Sequence, residues 1–314
     1  MDNLTFAGLV KLEALCLSYN RLESLGVNVF VDLKNLVKLD VIVNEIVLSD
    51  AEFLAPFNQL EELNLDYNKI DFDAFKFSKR LNKLITLTFS RNQISFIRND
   101  SFKSLGVFIK SIWYFASIFL NDNKIICIDD ASFSHLSGLR FLYLNRNFLT
   151  SLSEKTFDGL YSLKELELQH NKIKYIWPNT FKSLSNLSNL NLAYNEILCI
   201  DKDMFNGLSL LDNVFDLSNN QIDSIEVGAF ESISLLKEAN LKNNKISFLN
   251  STVFGGLTSL VNLVLENNKI SFIDQVSRSF DALFILNKLQ LNTNEMEASI
   301  EYGSFKEVSK VEIF

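Results

Sequence analysis

The chain has 314 residues, of which 47% are hydrophobic, and it carries a formal net charge of −8 with an isoelectric point near 5.0. Its Lys and Arg residues form no basic run, which disfavours nucleic acids and anionic membrane surfaces as partners. With only 2 Pro and 10 Gly residues, the sequence contains no linker or low-complexity segment.

One spacing recurs along the chain and is clearest from Leu163 to Ile176, where it follows L-x-x-L-x-L-x-x-N-x-I-x-x-I. Its asparagine has counterparts at intervals that are mostly 24 residues and at most 31. Such self-similarity marks a repeat architecture, in which one repeat cannot bury its apolar face alone. The twelve asparagines are Asn20, Asn44, Asn68, Asn92, Asn123, Asn147, Asn171, Asn195, Asn220, Asn244, Asn268 and Asn294.

Each repeat predicts one short strand, because its second and third leucines alternate with other residues. Stacked copies would form a parallel sheet that buries these leucines and leaves the intervening side chains on the opposite face. In chain order, the residues between the two leucines are Cys16, Asp40, Asn64, Thr88, Phe119, Tyr143, Glu167, Asn191, Asp216, Asn240, Val264 and Gln290.

We predict that the twelve asparagines form a buried ladder. The chain must turn just after each strand, and a turn inside the stack leaves backbone N–H and C=O groups without partners. An asparagine amide both donates and accepts hydrogen bonds, so a column of asparagines can satisfy both kinds of group. The alternative is that these asparagines are exposed turn residues.

A phenylalanine lies ten residues after most of the asparagines, which predicts a stacked aromatic spine inside the repeats. An aromatic box that binds a cofactor is the alternative interpretation. The third repeat lacks this residue and offers Phe75 and Phe77 nearby. The eight predicted spine residues are Phe30, Phe102, Phe133, Phe157, Phe181, Phe205, Phe230 and Phe254.

We predict a single domain, residues 1–314, of about twelve repeats, because an array of repeats grows without needing a new core. The sequence starts within a repeat at Phe6, and the residues before Phe314 begin another repeat that has no asparagine. We therefore expect a fragment of a longer protein. No signal peptide is visible in the first ten residues.

The fifth repeat is about seven residues longer than its neighbours, and the extra residues lie within 106–116. A bulged loop with exposed aromatic residues, a translated intron and a membrane-inserting segment are the three interpretations. The apolar stretch is interrupted by Lys110 and is shorter than the roughly 20 residues of a membrane span.

An aromatic cluster interrupts the small or polar residues on the exposed face of the predicted sheet. Phe119, Phe141 and Tyr143 come from neighbouring repeats, and Glu165 and Glu167 lie on the next predicted strand. Exposed aromatic residues beside charges are typical of a protein-binding hot spot. We predict that these five residues bind a ligand; the alternative is that the inserted loop covers them.

Two further surface features are weaker indications of function. One is an acidic group of Glu62, Asp66 and Tyr67, which is also what an ordinary solvated surface contains. The other is a set of N-x-[ST] sequons, in a number that chance alone would supply. These candidate glycosylation sites are Asn3, Asn99, Asn186 and Asn250.

The sequence does not indicate an enzyme, a cofactor or a metal site. His135 and His170 lie in different repeats and lack a nucleophile–base–orienter set, and no glycine-rich phosphate loop is present. Cys16, Cys127 and Cys199 have no metal-ligand spacing. Cys127 and Cys199 are three repeats apart, which is too far for a disulfide, so all three cysteines are predicted to be free.

The 24-residue frame, with N-x-I-x-x-I, a Phe ten residues past the Asn and L-x-x-L before the next strand, resembles the typical leucine-rich repeats of animal extracellular proteins. Toll-type receptor ectodomains, Slit, chaoptin and the small proteoglycans are examples. The resemblance implies an α/β solenoid of horseshoe shape, with a parallel concave sheet and a largely irregular convex side. It also implies that the concave face binds protein or other macromolecular ligands.

The leading hypothesis is therefore the ligand-recognition part of a receptor or adhesion ectodomain, located outside the cell or at its surface. A matrix protein that self-associates, or an intracellular scaffold, is the alternative, and a homodimer is a further candidate assembly. A membrane is expected as a partner only through segments that this chain does not contain.

Overall fold

The computed structural model describes residues 5–26, 28–48, 51–72, 77, 81, 83–105, 117–250, 252–273, 279–296 and 312–313. The chain divides into two compact units, one of residues 1–149 and 155–163 and one of residues 150–154 and 164–314. Each unit is a parallel-sheet solenoid with almost no helix, as the repeat predicts. The 3-10 helix Glu52–Leu54 lies in the first unit.

The first unit contains a sheet of parallel strands in chain order, one strand for each repeat. The strands are short because only the middle of each repeat has the alternating pattern. They are β1 Ala14–Cys16, β2 Lys38–Asp40, β3 Glu62–Asn64, β4 Thr86–Thr88, β6 Ser117–Phe119 and β8 Phe141–Tyr143. A small second sheet pairs β5 Phe96–Ile97 with β7 Cys127–Ile128.

The second unit repeats this arrangement, again with its sheet strands in chain order. They are β10 Glu165–Glu167, β12 Asn189–Asn191, β14 Val214–Asp216, β16 Glu238–Asn240, β17 Asn262–Val264, β18 Lys288–Gln290 and β19 Glu312–Ile313. Two small flanking sheets pair β9 Ser151–Leu152 with β11 Tyr175–Ile176, and β13 Cys199–Ile200 with β15 Ser224–Ile225.

The strand register follows the sequence repeat. Leu166 pairs with Leu190, 24 residues later, and both side chains are fully buried or nearly so. The long fifth repeat keeps this register, because Leu87 of β4 pairs with Ile118 of β6, 31 residues later. The additional residues are therefore accommodated outside the strands. The predicted insertion itself, 106–116, lies outside the described residues.

Buried asparagines hydrogen-bond to backbone groups of two successive turns. Asn195 Nδ2 donates to the carbonyl oxygen of Leu192 in its own turn and to that of Leu168 in the preceding turn, both at 3.0 Å. Its Oδ1 accepts from the backbone N–H of Ile173 at 3.0 Å. The same pattern recurs at Asn147 in the first unit, with the carbonyl oxygens of its own and the preceding turn. One side chain thus satisfies three backbone groups that the turn would otherwise leave unpaired.

Ten of the twelve asparagines are buried, at 8% exposure or less. Asn20 is exposed, so the prediction that it is buried is wrong. It lies in the outermost described turn of the first unit, and its Nδ2 donates only within that turn, to the carbonyls of Leu17 and Ser18. Asn294 is half-buried and still donates to the carbonyl of the preceding turn, Leu265, at 2.9 Å.

All eight predicted spine phenylalanines are fully buried. In the second unit, the ring centroids of successive spine residues from Phe181 to Phe254 are 6.0–6.5 Å apart, with nearly parallel planes. The spine extends beyond the prediction to Phe280, which stacks on Phe254 at 5.7 Å. In the first unit Phe77 takes the spine position of the third repeat and stacks on Phe102 at 6.0 Å, whereas Phe75 lies outside the described residues.

We expect Asn195→Ala to lower the free energy of unfolding by about 3 kcal/mol, because it leaves three buried backbone groups without partners. Asn20→Ala is the matched control, since it removes the same residue of the repeat at an exposed position. Urea unfolding followed by circular dichroism measures both. Equal losses for the two variants would show that burial of the amide is not what makes the ladder stabilising.

Candidate ligand-binding face

Each sheet leaves one face open. In every strand of three residues from β2 to β18, the central side chain is buried and the two flanking side chains are partly or fully exposed. This alternation follows from the two-residue period of a strand. The sheet face, defined here as these flanking side chains, is therefore a rigid and solvent-accessible surface in each unit.

Three of the five predicted ligand-binding residues lie on the sheet face of the first unit. Phe119 of β6 and Tyr143 of β8 are register partners, and their rings stack with centroids 4.6 Å apart and planes 8° apart. Phe141 is two residues from Tyr143 on the same strand, and the Arg140 guanidinium lies 5.7 Å from its ring centroid. All three aromatic side chains are partly exposed. They form an aromatic cluster that solvent reaches.

A polar network occupies the sheet face of the first unit near Asp66. Thr88 Oγ1 donates to Asn64 Oδ1 at 2.6 Å, and the Ser90 backbone N–H donates to Asp66 Oδ1 at 2.7 Å. Burial raises the pKa of Asp66, the Asp40 carboxylate raises it further, and hydrogen bonds from Thr88 and Ser90 oppose the rise. These polar groups already bond to one another, which leaves them little capacity for a ligand.

The other members of the weaker acidic candidate are also occupied. Glu62 forms an ion pair of 2.6 Å with Lys38, and both side chains are about half exposed. The Arg91 guanidinium lies 4.9 Å from the centroid of the Tyr67 ring. Exposed pairs of this kind contribute little to stability, and they suit a solvated surface.

The two predicted glutamates belong to the sheet face of the second unit. Glu165 and Glu167 of β10 are partly exposed and pair in register with Asn189 and Asn191 of β12. Asn189 Nδ2 lies 3.4 Å from Glu165 Oε2. Burial raises the pKa of Glu167 and nearby carboxylates raise it further, while hydrogen bonds with Gln169 and Asn191 lower it.

Sequence reasoning missed a column of left-handed residues beside the ladder. In the second unit, His170 stacks on Tyr194 at 4.5 Å, and Asn219, Asn243 and Asn267 are linked by amide hydrogen bonds of 2.7 and 2.8 Å. The residue before each ladder asparagine has a φ between 52° and 60°, a region that L-residues rarely adopt. Over both units these are Tyr19, Val43, Tyr67, Arg91, Asp122, Arg146, His170, Tyr194, Asn219, Asn243, Asn267 and Thr293.

Exposed apolar side chains on the flank of the second unit were also missed. Tyr175 and Trp177 are in edge-to-face contact at 5.7 Å, and they are 40% and 54% exposed. Leu198, Phe248 and Phe272 are about half exposed. These residues lie among the isoleucines that follow each ladder asparagine, so their apolar character predicts burial and the exposure is not visible in the sequence.

The thiols have no arrangement that would make them nucleophiles. All three cysteines are free, as predicted. Burial raises the pKa of Cys199 to about 11, helped by its hydrogen bond to Asp201 at 3.2 Å and by nearby carboxylates. Burial also raises the pKa of Cys127. A thiol is nucleophilic as the thiolate, so a raised pKa opposes reactivity at neutral pH.

The described residues contain no group of three or more His, Cys, Asp and Glu side chains that could hold a metal ion. Within the described part of the chain, no helix has the length and apolarity that a membrane span requires.

Two models of leucine-rich repeat families match most of the chain. The model described as "Leucine rich repeat" matches residues 116–173, 162–215 and 213–270. The model described as "BspA type Leucine rich repeat region (6 copies)" matches residues 1–108. No curated protein matches the chain in a sequence search.

Solved structures share the fold. A chain of the TLR13–ssRNA13 complex has a TM-score of 0.71 at 22% identity, over 96% of this chain and 46% of that one. A chain of the Drosophila Toll–Spatzle complex has a TM-score of 0.71 at 19% identity, over 94% and 43%. A leucine-rich repeat protein of Leptospira interrogans has a TM-score of 0.58 at 25% identity, over 98% and 84%. The chain thus spans less than half of the TLR13 and Toll-complex chains, whose similarity shows the fold alone.

We expect Cys199 to react slowly with iodoacetamide at pH 8, because its pKa of about 11 leaves little thiolate. Asp201→Asn should speed the reaction several-fold, since it removes a negative charge that raises the pKa, although burial remains the larger cause. Peptide mass spectrometry over pH 7–11 measures the rates, with Cys127 in the same sample as the internal control. An unchanged Cys199 rate in the variant would show that Asp201 does not control the thiol.

Proposed function

The chain belongs to the leucine-rich repeat family, and from this premise we propose that it is the ligand-recognition part of a receptor or adhesion protein. Leucine-rich repeats typically serve as non-catalytic scaffolds for macromolecular binding. We also propose that the two units continue one array, because the 24-residue interval is kept from Asn147 to Asn171 across the boundary between them.

The observation that carries the proposal is the stacked pair of Phe119 and Tyr143 on the sheet face of the first unit. Aromatic side chains bury a large area and dominate many protein interfaces. Here the rings are already stacked on paired strands, so a partner would lose little conformational entropy in ordering them. The rest of the strand positions on this face are mostly polar, which matches the polar rim of an interface.

An extracellular or cell-surface location is part of the proposal. It is supported by the likeness to chains of the Toll and TLR13 structures and by the BspA-type match. The expectation that nucleic acid is excluded as a partner has no support from these comparisons, because one of them is a complex with ssRNA13. The net charge of −8 still makes protein the partner that we favour.

The proposal can be tested by selecting partners from a displayed library of secreted protein domains. We expect Phe119→Ala/Tyr143→Ala to weaken binding of the selected partner by about 100-fold, because two hot-spot rings are removed. Biolayer interferometry measures the affinities, and thermal unfolding confirms that the variant is folded.

The matched control is Phe148→Ala/Tyr161→Ala, which removes two exposed aromatic rings from the same unit outside the sheet strands. This control should bind within about twofold of the wild type. A partner that tolerates the Phe119/Tyr143 variant but is lost with the control would contradict the assignment of the sheet face.

The location is tested separately by glycosylation. Asn99, Asn186 and Asn250 are exposed, whereas Asn3 lies outside the described residues. If the protein is secreted or on the cell surface, protein purified from its source should carry N-glycans on one or more of these three asparagines. Enzymatic deglycosylation in heavy-oxygen water followed by peptide mass spectrometry detects them, and three unmodified asparagines would count against the location.

A further inference from the structure

A group of hydrogen-bond acceptors on the second unit has no use in the fold. We name it the acceptor patch and define it as Glu165 and Glu167 of β10, Gln169 just after β10, and Asn189 and Asn191 of β12. The two strands pair in register, which places Glu165 beside Asn189 and Glu167 beside Asn191. All five side chains are partly exposed on the sheet face.

The amide donors of the patch are directed at its carboxylates. Asn189 Nδ2 lies 3.4 Å from Glu165 Oε2, and Gln169 and Asn191 hydrogen-bond to the Glu167 carboxylate. Asn191 Oδ1 accepts from the backbone N–H of Ala193 at 3.1 Å. The amide groups therefore support the carboxylates, as they would if the carboxylates were to be held ready for a ligand.

Two acceptor atoms remain without any donor. Gln169 Oε1 and Asn189 Oδ1 are shielded from solvent, and neither has a hydrogen-bond partner in the described structure. A shielded acceptor without a donor costs about 1–3 kcal/mol relative to a satisfied one, so most folded proteins avoid it. Two of them beside two carboxylates indicate that a donor from another molecule completes the patch.

The charge around the patch has one sign. The face positions of β10, β12 and β14, together with the residue that follows each strand by one, include Glu165, Glu167 and Asp216 and contain no Lys or Arg. The next lysine along this face, Lys242, forms an ion pair of 2.9 Å with Glu266. Burial raises the pKa of Glu167, which a neighbouring cation would oppose.

We propose that the acceptor patch binds an extended, arginine-containing segment of a protein partner. A guanidinium presents five N–H donors in a planar fork, which allows it to bond to a carboxylate and an amide oxygen together. Glu165 and Glu167 are two residues apart on one strand, about 7 Å. An extended Arg-x-Arg segment has the same spacing, so two arginines match the two glutamates. This inference rests on the proposed recognition function and specifies the chemistry of its partner.

The test uses a fluorescent peptide, Gly-Arg-Ser-Arg-Gly with blocked ends, and the full chain. Citrulline in place of both arginines keeps the shape of the peptide and removes its charge. We expect the arginine peptide to bind at least 10-fold more tightly than the citrulline peptide by fluorescence anisotropy, and raising NaCl from 50 to 300 mM should weaken its binding severalfold.

Glu165→Gln/Glu167→Gln should reduce arginine-peptide affinity at least 10-fold. The control is Glu226→Gln/Glu231→Gln, which changes the net charge equally in a turn outside the sheet strands of the same unit, and it should leave the affinity within about twofold. Equal binding of the arginine and citrulline peptides, or equal losses in the two variants, would overturn the proposal.

Failure of this inference can be told from failure of the proposed function. A partner that is selected from the library and depends on Phe119 and Tyr143, together with no preference for the arginine peptide, leaves recognition in place and removes only the arginine chemistry.

Discussion

The structure depends on satisfying the backbone where each repeat turns inside the stack. A turn at that position buries peptide groups that water would otherwise satisfy, and the asparagine amide replaces the water. Because Asn195 bonds to the carbonyls of Leu168 and Leu192 at once, the amide also ties its own turn to the preceding one. Closure of the turn and stacking of the repeats are therefore achieved by the same side chain.

This constraint explains which parts of a repeat can vary. The strand, the asparagine and the spine phenylalanine each contact the equivalent residue of the next repeat, so their spacing is kept. Segments between them tolerate additions, as the 31-residue interval between Leu87 and Ile118 shows. The sheet face is free in a different way, because its side chains are not needed for stacking. Aromatic, acidic and amide residues can occupy it without weakening the core.

How much could be predicted from the sequence follows from the same distinction. The leucines, the asparagines and the spine recur at a fixed interval, so their burial was predictable, and the end position Asn20 is exposed because no turn covers it. Phe119 and Tyr143 stood out because they break a polar column. By contrast, the φ values of residues such as Val43, and the exposure of Phe248 and Trp177, depend on backbone geometry and packing. No residue type at those positions signals them.

The unsatisfied acceptors are informative because they occur in a fold that otherwise satisfies its buried polar groups so regularly. The buried asparagines bond on both sides, yet Gln169 and Asn189, on a neighbouring surface of the same repeats, each leave one shielded oxygen without a donor. Exchange of either residue for an apolar one would remove that cost without touching the ladder or the spine. The fold has no use for these two amides, whereas a cationic partner would, which is why we place recognition at this point of the sheet face.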